Sequence, residues 1–166
     1  MPEPFELKPI SKGAVGEAIH KAEQYRALND PEQAESICLD ILRVDPENQA
    51  VLVLLILSIT DQLGSGSGAA GAQRAREIVA RLNDQYQRFY YSGIVCERQA
   101  RALLTRGTSS GFAYEGFREA MEWYAKAEPI RPPQLDDAIL RWNSCARTIR
   151  RHHLRARPRE HELPLE

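Results

Sequence analysis

The histidines near the C-terminus are the first residues whose side chains could support catalysis or metal binding. His152, His153 and His161 lie close in the sequence to two glutamates. Imidazoles and carboxylates bind zinc, but this spacing matches no zinc-site signature, and paired histidines in a polar tail are more often solvated. His20 stands alone in a helical pattern and lacks the partner set that acid–base catalysis needs. We therefore expect no metal, no cofactor and no catalytic residue.

Two glycine- and serine-rich segments, GSGSG at residues 64–68 and GTSSG at residues 107–111, raise the question of a phosphate-binding loop. Neither contains the GxxxxGK[ST] pattern of such a loop. The chain also lacks GxSxG and HExxH motifs, and no pair of carboxylates stands out as a catalytic dyad. The sequence predicts a protein that is not an enzyme.

A basic segment, RTIRRHHLRARPR at residues 147–159, could contact nucleic-acid phosphates or an acidic partner. The competing interpretation is a solvated helix end, where arginine also complements the helix dipole. No aromatic residues interleave with these arginines, so the solvated helix end is favoured. Nucleic-acid binding through Arg150, Arg151 and Arg155 is kept as an alternative that predicts steep salt dependence.

The composition is that of an ordinary globular domain. The chain has 166 residues, 43% of them hydrophobic and 27% charged, with a net charge of -1. This length predicts one domain with a substantial core. Residues 1–83 contain 8 Lys/Arg and 12 Asp/Glu, and residues 84–166 contain 14 and 11. An imbalance this small does not favour binding of a polyanion by bulk charge.

The N-terminal sequence and the cysteines indicate a cytoplasmic protein. The N-terminal sequence MPEPFELKPI has acidic residues and prolines but no apolar core, so it is not a secretory signal. The three cysteines, Cys38, Cys96 and Cys145, are far apart and lie among apolar residues. Buried thiols in a reducing compartment are therefore favoured over disulfides.

The most apolar stretch is NQAVLVLLILSI, residues Asn48–Ile59. A membrane-spanning helix needs about 20 apolar residues, whereas the unbroken run here is only Ala50–Leu57 and is closed by Asp61 and Gln62. The length would fit a buried strand, but the neighbouring segments all have helical patterns. We expect no membrane span and a helix that is surrounded by other helices.

Apolar residues recur at three- and four-residue spacings along most of the chain, which predicts an all-α fold. Asp30 with Gln33, and Asp84 with Gln87, have the spacing of helix N-caps. Residues 1–13 are predicted to be an N-terminal extension, 64–71 a flexible loop, 105–111 a break and 155–166 a flexible tail. The seven predicted helices cover residues 14–28, 31–44, 48–62, 72–82, 85–106, 113–128 and 135–154.

Small residues recur at fixed spacings within this helical pattern. Ala22 precedes Ala34 by twelve residues, Pro46 follows Ala34 by twelve, and Pro132 follows Ala120 by the same distance. This pattern resembles the tetratricopeptide repeat (TPR), whose 34-residue unit is a pair of helices. Residues 15–48 look like one whole unit, and the resemblance extends loosely over about 14–152.

The later units depart from the family spacing. In the second unit Ile56 stands where a small residue is expected, and the GSGSGAA segment lengthens the connection to Ala75. In the third unit Gly93 supplies the small residue, but Ala120 follows it by 27 residues rather than twelve. A longer helix and the TRGTSSG segment would account for that excess.

The resemblance implies a right-handed helical-hairpin solenoid of about three repeats and a closing helix over residues 14–154, and a function in protein–protein interaction. Such a module would hold a peptide or helix of a partner in its concave groove. The clamp that some relatives use for a terminal carboxylate is absent, because Ile19, Glu23, Val53 and Leu57 occupy its positions. A TPR-type secretion chaperone and a homodimer with the groove filled by a second copy remain alternatives.

The candidate partner-binding residues follow from groove positions and composition. Val53 and Leu57 fall where family members face the groove, and they exceed what a core needs there. Tyr90 falls at a groove position of the third unit, and aromatic and arginine side chains dominate binding hot spots. The residues predicted to face the partner are Val53, Leu57, Tyr90, Arg98, Arg101, Asn143 and Arg147.

Overall fold

A computed structural model describes residues 4–66, 68–107 and 110–159. Within these ranges the chain forms α-helices, short 3-10 turns and no strand. The turns are Lys12–Ala14, Leu63–Ser65 and Glu128–Ile130. The seven helices are α1 Val15–Ala27, α2 Pro31–Val44, α3 Gln49–Asp61, α4 Gly68–Val79, α5 Gln85–Thr105, α6 Ser110–Ala127 and α7 Asp137–Arg151. The prediction of an all-α fold with seven helices is confirmed for these residues.

The predicted caps start two of the helices. The Asp30 side chain accepts a hydrogen bond from the Gln33 N–H at 3.3 Å, and Pro31 occupies the first turn of α2. The Asp84 side chain accepts one from the Gln87 N–H at 3.1 Å at the start of α5. Each cap satisfies a backbone donor that the helix cannot satisfy internally.

The prediction of a flexible loop over the whole of 64–71 was wrong, because α4 already begins at Gly68. Alanine has the highest helix propensity, so the AAGA sequence after Gly68 can continue a helix despite its glycine. Gly71 is buried, which gives the small residue a packing role. The Arg106 side chain donates to the Leu63 carbonyl at 2.8 Å and ties the preceding turn to the end of α5. Ser67 lies outside the described residues.

The helices pack mainly against their neighbours in the chain, and α3 also contacts α1 and α5. One core cluster lies among α1 to α4, a second lies among α5 to α7, and α5 contributes side chains to both. The apolar stretch forms α3, which contacts α1, α2, α4 and α5 and is therefore buried on most sides. None of the helices in the described ranges is both long and apolar enough to cross a membrane.

Glycines allow α5 and α6 to approach each other closely. A Cβ atom built on Gly93 would lie 2.5 Å from the Cε1 atom of the fully buried Tyr124. The small residue that the repeat spacing placed at Gly93 is thus required by packing. A Cβ atom built on Gly116 would likewise lie 2.9 Å from the Cβ atom of Ala100, which is two turns further along α5.

The cysteines are buried and form no disulfide. Burial raises the pKa of the Cys38 thiol to about 12 and that of the Cys96 thiol to about 11. Burial also raises the pKa of Cys145, with a further contribution from the nearby Glu97. All three groups therefore stay protonated near neutral pH and pack as small apolar side chains.

Candidate functional site

The side chain of Glu97 is fully buried at the centre of a polar network that joins α5, α6 and α7. Its Oε2 atom accepts from Arg101 Nε at 3.0 Å and from Arg141 Nη1 at 3.2 Å. Its Oε1 atom accepts from the Tyr124 hydroxyl at 3.0 Å and from the Cys145 thiol at 3.4 Å. Two guanidinium groups and two neutral donors thus compensate the carboxylate for the loss of water.

The carboxylate of Glu97 and burial shift the pKa values of two of its hydrogen-bond donors. Burial raises the pKa of Tyr124, and the carboxylate of Glu97 raises it further, so the tyrosine hydroxyl remains a donor. Burial lowers the pKa of Arg141, but Glu97 and the Tyr90 hydroxyl outweigh that effect and raise it overall. Tyr124 and Arg141 therefore keep their protons near neutral pH.

Arg101 is held on several sides. Its Nη1 atom lies 3.3 Å from the Thr148 hydroxyl and its Nη2 atom 3.1 Å from the Ser144 hydroxyl, both on α7. Its guanidinium carbon lies 5.4 Å from the centre of the Phe117 ring. The side chain remains 39% exposed, so a fixed guanidinium presents part of its edge to solvent.

A second polar cluster joins α1, α3 and α5. Asp61 accepts from Arg98 on one carboxylate oxygen and from Arg26 Nε at 2.7 Å on the other. Arg98 also donates to the Leu57 carbonyl at 3.3 Å and to the Thr60 hydroxyl at 3.3 Å. Burial lowers the pKa of Arg98, Asp61 opposes that shift, and the positive charge of Arg26 adds to it.

The two clusters form a row of charged side chains across the odd-numbered helices α1, α3, α5 and α7. Arg141 influences the pKa of Arg98, so the two clusters lie within electrostatic range of each other. The row contains more arginines than carboxylates, which leaves an excess of positive charge. We call it the arginine row, and it consists of Arg26, Asp61, Glu97, Arg98, Arg101 and Arg141.

An aromatic cluster borders the row on α5. Tyr90 stacks on Tyr86 with 5.9 Å between ring centres and meets Tyr91 edge-on at 5.0 Å. Burial raises the pKa of Tyr90, and the nearby guanidinium of Arg141 opposes part of that rise. Beside it lies an open cleft of about 410 Å³ that is lined by Tyr90, Asp137, Leu140, Arg141 and Ser144.

The structure brings three of the predicted site residues together on α5, namely Tyr90, Arg98 and Arg101. Val53 and Leu57 are half-buried on α3. Val53 packs against the N-terminal core cluster and Leu57 against the C-terminal one, so each leaves only part of its surface accessible.

Asn143 and Arg147 are not part of this assembly. They line a separate cleft of about 220 Å³ with Trp142, Ala146 and Arg150. The side of α7 that faces α5 instead carries Arg141, with Ser144 and Thr148 one and two turns further on. Helical geometry separates the two sets, since residues three or four apart share a face and residues two apart do not.

Sequence reasoning missed Glu97, Arg141, Asp61 and Arg26. A signal for Glu97 was available, because it follows Gly93 by four residues and precedes Ala100 by three. An acidic residue on such an apolar stripe must find partners when the stripe is buried. Nothing local identifies the partner Arg141, which lies 44 residues away.

The histidines lie apart from this site. His20 is exposed on α1, 3.7 Å from the exposed Glu23. His152 and His153 are exposed after the end of α7, and His161 lies outside the described residues. In the parts of the chain that the structure describes, no group of three or more His, Cys, Asp or Glu side chains could hold a metal ion.

No protein-family model, curated protein or solved structure matches this chain. These comparisons neither support nor contradict the resemblance to the TPR family, which stays a prediction.

Proposed function

We propose that this protein is a non-catalytic interaction module, a right-handed stack of TPR-like helical hairpins that binds a peptide or helix of another protein. Packing of each helix against the next supports the stack, as does the contact of α3 with α1 and α5. In such a stack the first helices of successive hairpins line one concave surface. The arginine row would lie on that surface, because its members come from α1, α3, α5 and α7.

The observation that carries the proposal is an exposed apolar and aromatic surface beside the arginine row. Leu140 is 63% exposed and lines the cleft that Tyr90 and Arg141 share. Arginine and tyrosine are the residues most enriched in interface hot spots, and an apolar contact next to them can exclude water. The excess positive charge of the row favours a partner segment with acidic as well as apolar side chains.

The test is affinity capture from cytosol with Leu140→Asp beside Leu39→Asp. Both leucines are exposed on helices, at 63% and 45%, so neither change empties the core. We expect Leu140→Asp to reduce retention of a partner protein by at least about tenfold, since a charge would replace an apolar contact at a hot spot. Leu39 lies on α2, which contributes no side chain to the row, so Leu39→Asp should retain the partner.

Arginine replacements are poor probes of this surface. A glutamate at position 101 would lie beside the buried Glu97, so loss of binding could not be separated from loss of folding. Matching circular dichroism spectra of the two leucine variants provide the folding control. If both variants retain the partner protein equally well, the cleft is not part of the binding surface. If only nuclease-sensitive material is recovered, nucleic-acid binding is favoured.

A further inference from the structure

A second cleft borders the arginine row where α5 and α7 end. It has a volume of about 330 Å³, and its lining includes no carboxylate. All of the side chains around it except one are polar or charged, although both threonine hydroxyls already donate to carbonyls of their own helices. The lining residues are Arg101, Leu104, Thr105, Thr148, Arg151 and His152.

The positive charge of this cleft is only partly neutralised. Glu97 pairs with Arg101 but is fully buried, so it supports the guanidinium from behind and does not line the opening. Arg151 is exposed, and no described carboxylate lies within salt-bridge distance of it. His152 adds an exposed imidazole that can donate an N–H.

The helix ends oppose this charge but do not cancel it. Both α5 and α7 end beside the cleft, and each helix C-terminus is equivalent to about half a negative charge. Arg101 and Arg141 share the single negative charge of Glu97, and Arg151 adds a third positive charge. The two helix ends together offset about one of the two remaining positive charges, so the field stays positive and the cleft attracts an anion.

We propose that this cleft binds a phosphate monoester carried by the partner segment. The inference rests on the proposed function, because Arg101 belongs both to the cleft and to the arginine row. A phosphate monoester has a charge of about −1.5 to −2 at pH 7 and three acceptor oxygens. It matches two arginines and an imidazole better than a single carboxylate does, and planar guanidinium groups bind its oxygens in pairs.

The test is a nuclear magnetic resonance titration of the ¹⁵N-labelled protein with phosphoserine, and separately with inorganic phosphate, at constant ionic strength. We expect saturable shifts of the Thr105, Thr148 and His152 amides. Arg151→Gln combined with His152→Gln should weaken phosphoserine binding by about tenfold or more. Arg147→Gln removes an arginine from the other side of α7 and should leave the affinity unchanged.

Several outcomes would overturn the proposal. The first is chemical shifts that do not saturate with phosphoserine, and the second is that Arg147→Gln weakens phosphoserine binding as much as the cleft variants do. The third is that a single-stranded oligonucleotide binds more tightly than phosphoserine and that the same cleft variants abolish its binding. The two proposals fail separately. If Leu140→Asp loses the partner but phosphoserine does not bind, the proposed groove is supported and the proposed phosphate site is ruled out. If phosphoserine binds but Leu140→Asp keeps its partner, the proposed groove is ruled out.

Discussion

Replacing Glu97 with alanine is expected to lower the free energy of unfolding by about 3 kcal/mol. The change removes the acceptor of four hydrogen-bond donors at the point where α5, α6 and α7 meet. Tyr124 is fully buried, so its hydroxyl would have no water to replace the lost partner. Arg101 and Arg141 are 39% and 36% exposed and can be rehydrated, which keeps the loss from being larger.

Chemical denaturation of two further variants separates the effect of the buried position of Glu97 from the effect of its charge on the free energy of unfolding. Glu97→Gln keeps an acceptor for Tyr124 but loses the charge, and we expect roughly half the effect. Glu115→Ala breaks an exposed pair with Arg157, in which both side chains are nearly half exposed. That pair should contribute less than about 1 kcal/mol. A Glu97→Ala protein no less stable than Glu115→Ala would contradict the network described here.

Gly93→Ala is the second change with a large expected effect. The added methyl group would lie 2.5 Å from Tyr124 Cε1 and 2.7 Å from Cδ1, well inside van der Waals contact. The ring cannot move aside freely, because its hydroxyl is bonded to Glu97. Overpacking of this kind costs about 1–3 kcal/mol, and we expect thermal unfolding to shift down accordingly.

The same substitution at Gly16 gives the matched control. Gly16 is in α1, and an added Cβ would meet nothing within 4 Å. Alanine should therefore stabilise that helix by up to about 1 kcal/mol through its higher propensity. Opposite signs at the two glycines are the expected result. Stabilisation at both would mean that α5 and α6 are not in close contact at Gly93.

The local features of this fold could be predicted from the sequence because short-range chemistry determines them. The start of α2 follows from Asp30 and Pro31, and its end from the Asp45-Pro46 pair, since a residue before proline avoids helical geometry. The start of α4 could not be read in this way. Its GSGSGAA sequence suits a loop by composition, whereas the alanines after Gly68 favour a helix and Gly71 is buried within it.

The candidate site could be predicted only in part for a similar reason. Tyr90, Arg98 and Arg101 share α5, so helical periodicity alone places them near one another. Periodicity does not determine which side of α7 faces α5. Trp142 and Ala146 on one side of the helix are about as apolar as Ala138 and Cys145 on the other. Tertiary contacts decide between the two sides, and they direct Arg141 rather than Asn143 towards α5.

Buried charge is the other feature that escapes sequence reasoning. A glutamate in a helix is normally interpreted as solvent-exposed, and the partners that permit its burial come from distant segments. Arg141 and Cys145 lie 44 and 48 residues from Glu97. The tyrosine that completes the network, Tyr124, is 27 residues away on α6.

In the proposed function, a partner binds on the side of α7 that faces α5. Photo-crosslinking from two positions of α7 tests it most directly, with benzoylphenylalanine placed at Leu140 or at Trp142. Both side chains are accessible, at 63% and 39% exposure, and they line different clefts. We expect position 140 to give the main crosslink to a partner protein. A crosslink mainly from position 142 would contradict the account and favour the surface that carries Asn143 and Arg147.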